Sequence, residues 1–113
     1  MIIDYTAAPI FMNKDVKGAH EWLIEFEKEP KNIEYFTSVL DHALMSLNSD
    51  YEAKRFKNIT LDMPQVRVMK NGVFYLWLEK KGKLGGQNKI PRLSNDRRYV
   101  EELLKINDQI INN

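Results

Sequence analysis

Apolar positions recur along this chain with two different periods, and the switches between them lay out its elements. Ile2-Ile3-Asp4-Tyr5-Thr6-Ala7-Ala8 predicts a short strand ended by Pro9, with Ile10 to Met12 as a possible extension. A polar turn, Asn13 to Gly18, follows. Over Ala19 to Glu27, Trp22, Ile24 and Phe26 alternate with Glu21, Leu23, Glu25 and Glu27. That period of two predicts a second strand, forming a hairpin with the first, with one apolar face and one largely acidic, solvated face. Asn32 then caps a helix in which Ile33, Phe36, Val39, Leu40, Ala43, Leu44 and Leu47 recur at helical spacing, until Asn48 breaks it. Ser49 and Glu52 have capping-box spacing, so a short helix is expected to run to about Lys57.

Ile59 to Met63 is ambiguous between extended and irregular. Gln65 to Lys70 alternates and reads as a third strand. Asn71-Gly72 suits a hairpin turn. However, Phe74, Trp77 and Leu78 carry helical spacing and Gly82 suits a helix stop, so Val73 to Lys81 is expected to be helical. A last helix capped by Ser94 or Asn95 turns Tyr99, Val100, Leu103, Leu104 and Ile106 inward, with residues 107–113 fraying. The order is strand, strand, helix, helix, strand, helix, helix. It predicts an α+β fold, a small mixed β-sheet packed with helices in about two layers, as a single domain over residues 1–113.

Charge changes the picture in one place. Lys80 to Arg98 carries Lys80, Lys81, Lys83, Lys89, Arg92, Arg97 and Arg98 against Asp96, a local +6 in a chain whose total is +1. The same stretch holds Gly82, Gly85 and Gly86, three of the five glycines. A glycine-rich basic loop lets backbone approach a ligand and offers cations to an anion. Lys89 is its candidate centre: Ile90-Pro91 after it is stiff and the glycines before it are pliable. Arg92 is placed to hold an anion or to brace the loop. The phosphate-cradling G-x-x-x-x-G-K-[ST] spacing is missing, so spacing alone favours an ordinary solvated loop.

Little else points to chemistry. Cysteine is absent, which excludes disulfides and thiol catalysis and favours a cytoplasmic protein. His20 and His42 are too few and too far apart for a zinc site, so no metal is expected. His42 is expected on a helix surface, and nothing near His20 in sequence makes it a general base. Glu21 and Glu25 have the spacing of an acid pair, but a solvated strand face is the favoured reading. Trp77 and Phe74 are expected in the core. No stretch approaches a membrane span, and no signal peptide opens the chain. Near-neutral net charge makes nucleic acid an unlikely partner, though the local +6 keeps a free-standing anion or nucleic-acid-binding module as the alternative. No self-contained active site is expected.

Several stretches, in order, resemble the C-terminal domain of the auxin-responsive promoter family of acyl-acid amido synthetases, a branch of the adenylate-forming enzymes. They are Ile3-Asp4-Tyr5-Thr6, Gly18-Ala19-His20-Glu21-Trp22-Leu23-Ile24-Glu25-Phe26, Leu47-Asn48-Ser49-Asp50-Tyr51, Val66-Arg67-Val68-Met69-Lys70-Asn71-Gly72-Val73-Phe74 and Gly86-Gln87-Asn88-Lys89-Ile90-Pro91-Arg92. The last is similar to the family's Gln-x-Lys-x-Pro-Arg. Asn88 stands where plant members often carry Tyr, and Gly85-Gly86 loosens the loop, departures that bear on substrate more than on Lys89.

The resemblance implies a lid domain that closes over a large N-terminal adenylation domain, which this sequence does not contain. A truncated or excised piece, inactive alone, is therefore expected. It implies Lys89 as the residue that reaches the adenylation site, with Gln87 and Arg92 as nucleotide- or substrate-binding supports. It implies ATP with Mg as cofactors of the full-length enzyme and none for the isolated domain. The implied partners are the adenylation domain of the same polypeptide, a small acyl acid, and an amine or amino acid.

Overall fold

A computed structural model describes residues 1–11, 13, 17–56, 60–82 and 89–110. Seven elements follow the expected order: β1 (Ile2–Ile10), β2 (Ala19–Phe26), α1 (Ile33–Leu47), α2 (Ser49–Arg55), β3 (Gln65–Met69), α3 (Val73–Lys80) and α4 (Arg98–Gln109). The strands form one mixed sheet in the order β1-β2-β3. β1 runs antiparallel to β2, with Tyr5 opposite Ile24, Thr6 opposite Leu23 and Ala7 opposite Trp22. β3 joins β2 in parallel, with Leu23 beside Arg67 and Ile24 beside Val68. Pro9 does not end β1 but pairs with His20 inside it. It is tolerated there because an edge strand can spare the N–H that proline lacks.

The alternation of β2 carries two packed faces rather than one. Phe26 meets Phe36 of α1 edge-on, with ring centroids 5.3 Å apart, and His20 stacks on Tyr51 of α2. On the opposite face Leu23 joins Met69, Val73, Phe74, Trp77, Val100, Leu103 and Ile106 in the main core with α3 and α4. The sheet therefore lies between two helix pairs, a three-layer arrangement rather than the expected two.

This inverts the reading of the acidic face. Glu21 and Glu25 are only 2% and 4% exposed, on the same face as Leu23. Each is buried because it has partners. Glu21 accepts from Arg67 and, at 2.6 Å, from Arg97. Glu25 accepts from the backbone N–H groups of Gly72 and Phe74 at 3.0 and 3.2 Å. It thereby caps α3, whose N-cap residue, Gly72 at φ +93°, has no side chain to do so.

The helix boundaries are set by similar polar contacts. Asn32 accepts from the N–H of Tyr35 at 2.9 Å and starts α1. Asn48, rather than Ser49, caps α2 through the N–H of Tyr51. α4 begins at Arg98, later than Ser94 or Asn95 would place it, because Asp96 Oδ1 accepts from the N–H of Arg98 at 2.9 Å. Asn107 does not fray, since its Oδ1 accepts from the N–H of Lys70 at 2.8 Å. The apolar stripe of α1 only partly faces inward. Phe36, Leu40 and Leu44 are half-buried, whereas Val39 is 50% and Leu47 86% exposed. The place deep under α1 goes to Asp41, which Arg55 of α2 grips at 2.6 Å.

Candidate functional site

Among the described residues, 89–97 belong to none of the named elements; the edge of β1 positions them. The N–H of Ala7 donates to the carbonyl of Arg92 at 2.9 Å, and the N–H of Ser94 donates to the carbonyl of Ala7 at 3.0 Å. Leu93 thus makes an isolated parallel bridge with Ala7, and residues 92–94 lie along the edge of β1. Thr6 Oγ1 donates to the carbonyl of Pro91 at 2.5 Å from a fully buried position. Ile90, 3% exposed, plugs into the main core. Because the bridge is parallel, the residues before Leu93 run toward the beginning of β1, the sheet end where β2 and β3 finish.

Lys89 is exposed, one residue before buried Ile90. Among the described residues its ammonium has no hydrogen-bond or ion-pair partner. Arg92 differs. Its guanidinium pairs with Asp4, donates to the carbonyl of Tyr5 at 3.0 Å and lies over the Tyr5 ring, 4.5 Å from its centroid. Tyr5 in turn stacks on Trp22 at 5.8 Å. Of the two roles considered for Arg92, bracing is the one these contacts support. Gln87, with residues 83–88, lies outside the described residues. The sequence pattern does not single out Asp4, Tyr5 or Thr6 as supports. The available signal was a hydroxyl at an alternating position of a buried strand.

Among the described residues of the basic stretch, Lys81, Arg92 and Arg97 are paired with acids, while Lys80, Lys89 and Arg98 are not. Lys81 pairs with Glu102 at 2.7 Å, Arg92 with Asp4, and Arg97 with both Glu21 and Glu101. Burial opposes the charge on Arg97, but the hydrogen bonds it donates to Glu21 and Glu101 outweigh this and raise its pKa. A nucleic-acid surface needs cations free to meet phosphates, so these pairings weigh against the module reading. Among the described residues no group of acidic or histidine side chains is arranged to hold a metal ion, and no helix is long and apolar enough to cross a membrane.

The other titratable clusters are structural. Asp41 accepts from Tyr51 Oη at 2.6 Å and from Arg55 Nε and Nη2 at 2.8 and 2.6 Å. The Arg55 hydrogen bonds hold the Asp41 carboxyl below the usual carboxylate range, while burial and then the Asp41 hydrogen bond push the Tyr51 hydroxyl up. Burial, then Lys54, lowers the pKa of His20, which stacks on Tyr51 and donates to no acid among the described residues. His42 is exposed on α1, as expected, with Nδ1 near the carbonyl of Ser38. What the arrangement offers chemically is one unpaired ammonium on a braced segment.

Comparison with known proteins places this geometry. The model of the GH3 family C-terminal domain matches residues 1–98. The fold is similar to that of a solved GH3.15 acyl acid amido synthetase, with a TM-score of 0.64 at 19% identity. A structure of AtGH3.15 acyl acid amido synthetase in complex with 2,4-DB gives a TM-score of 0.62, also at 19% identity. All of this chain is covered in both, but only 21% and 20% of those chains, so it spans about a fifth of their length. No curated protein matches. The family match over 98 of the 113 residues, with the same small mixed sheet and helices, shows that this chain belongs to the GH3 family as a C-terminal domain.

Proposed function

We infer that this chain is the lid of an ATP-dependent acyl-acid amido synthetase and contributes Lys89 to activation of the acyl acid. The observation that carries the reading is the family match over residues 1–98, which includes the Gln87–Arg92 motif. The state of Lys89, exposed and unpaired among the described residues on a segment whose neighbours are fixed, supports it. Such an ammonium fits a single contact to a phosphate or carboxylate, not a nucleotide pocket. The pocket, any Mg, the acyl acid and the amine are therefore assigned to an adenylation domain on the same polypeptide. ATP supplies the adenylyl group that activates the acid: the carboxylate bonds to the α-phosphorus as the bond to pyrophosphate breaks and pyrophosphate leaves. Lys89 offsets the negative charge that builds as the acid carboxylate attacks, which is electrostatic stabilisation of a transition state. Arg92, held by Asp4 and Tyr5, keeps the segment in place, and Gln87 is assigned to the nucleotide or substrate on the strength of its motif position. Closure of the lid brings Lys89 in, and its reorientation then admits the amine.

The test is Lys89→Ala in the full-length polypeptide, followed by acid-dependent ATP–pyrophosphate exchange. Loss of one preorganised charge contact is expected to lower exchange on the order of a hundredfold. Unimpaired exchange would remove Lys89 from the reaction.

A further inference from the structure

We propose that Thr6 is a positioning residue, its buried hydroxyl fixing through the Pro91 carbonyl the register at which Lys89 leaves the sheet edge. The inference rests on the assignment of Lys89 above. Thr6 is fully buried, opposite Leu23 on the face that carries the main core. Valine has nearly the same shape and would suit such a site without a polar atom to satisfy, so packing alone does not call for a hydroxyl. The one partner of that hydroxyl among the described residues is the Pro91 carbonyl, 85 residues away in sequence.

The position of the bond matters. The backbone bonds that hold residues 92–94 to β1 both involve Ala7, through Arg92 and Ser94, three and five residues beyond Lys89. Two bonds to one residue leave the segment able to pivot about it. Pro91 has no N–H with which to add a third, so the point nearest Lys89 has to come through its carbonyl. Ile90 fixes how deep the segment sits, but an apolar plug sets no hydrogen-bond register. Arg92 braces from its own end, with a side chain 45% exposed in its pair with Asp4. Thr6 is the buried tie between Ala7 and Lys89.

The decisive measurement has two arms. In the first, backbone order parameters at Lys89 and Leu93 are measured by NMR on this chain for the parent, Thr6→Val and Thr6→Ser. Order is expected to fall in Thr6→Val at these residues only, and to return in Thr6→Ser. In the second, the full-length polypeptide is assayed by radiolabelled pyrophosphate exchange, with benzoate and phenylacetate as acyl acids. Thr6→Val is expected to lower kcat about ten- to hundredfold while KM for ATP stays within about twofold, the signature of a misplaced reacting group. Thr6→Ser recovers the rate, and Thr6→Val has no further effect in a Lys89→Ala background, because it acts through Lys89. Unchanged order in Thr6→Val, or losses that multiply in the double variant, overturns the inference while leaving Lys89 its role. A Lys89→Ala enzyme with full exchange instead overturns the functional reading, and the order-parameter arm still decides the placement.

Discussion

Asp41 gives the sharpest test of how the α1–α2 layer is held. Its carboxylate, 3% exposed, takes two bonds from Arg55 and one from Tyr51, and Arg55 adds a bond from Nη1 to the carbonyl of Leu61 at 3.2 Å. Asp41→Ala leaves a guanidinium, itself only 9% exposed, without its countercharge. Breaking a buried pair from one side costs about 3–5 kcal/mol, mostly the penalty of the orphaned charge. With a urea m-value of about 2 kcal/mol/M, the unfolding midpoint should fall by roughly 2 M. Asp41→Ala/Arg55→Met should recover most of that loss, because no unpaired charge remains. The assay is urea unfolding followed by circular dichroism, repeated across pH. The folded-state pKa of Asp41 is depressed, chiefly by the Arg55 hydrogen bonds. Its contribution is thus complete above the unfolded value of about 3.9 and is lost as pH falls through the folded pKa. The gap between parent and Asp41→Ala should therefore close below about pH 4. A single variant within about 1 kcal/mol of the parent at neutral pH, or a double variant no better than the single, would refute the reasoning.

Two further outcomes follow from burial. Glu25→Ala removes the acceptor of the Gly72 and Phe74 N–H groups, so stability should drop by about 1–3 kcal/mol. Hydrogen exchange should accelerate at those two amides before it does in α4; equal acceleration in both would count against a local cap. Leu103→Ala, at a fully buried core position, should cost about 2–5 kcal/mol in thermal or urea unfolding, while Leu47→Ala, 86% exposed, should stay within about 0.5 kcal/mol. Comparable losses at both would mean that α1 buries a face that its exposure denies.

The comparison of Leu47 with Leu103 also explains where sequence pattern reads this fold well and where it does not. In α4 the apolar positions are those that are buried, because a helix closing one side of a core has a single face to fill. Over Val73–Lys80, Phe74 and Trp77 were correctly expected to be helical and buried, against the hairpin signal of Asn71-Gly72. In α1, Val39 and Leu47 share the stripe by spacing but face outward, because the inward direction is set by Asp41 meeting Arg55, a partner 14 residues on. The misreading of β2 has the same origin. Alternation marks Glu21 and Glu25 as a polar face, and polar faces are usually wet. Here their partners are Arg67, Arg97 and the N-terminus of α3, which sequence distance conceals.

The site divides along the same line. Lys89 is proposed from the glycines before it and the proline after it, and from the resemblance of Gln87-Asn88-Lys89-Ile90-Pro91-Arg92 to the family motif. Its support was not legible, because it comes from β1, at the other end of the chain. The +6 of Lys80–Arg98 suggested a field of free cations, yet Lys81, Arg92 and Arg97 are tied to Glu102, Asp4, Glu21 and Glu101. Those pairings hold α3 to α4, the Lys89 segment to β1, and the start of α4 to β2. Part of the positive charge clustered in the sequence is thus distributed as struts, and Lys89, like Lys80 and Arg98, pairs with no acid among the described residues. An ammonium left unpaired on a segment braced at Pro91, Arg92 and Ser94 loses little freedom on meeting an anion, since the backbone beside it is already ordered. That bracing, more than the density of charge, is the physical ground on which Lys89 is proposed.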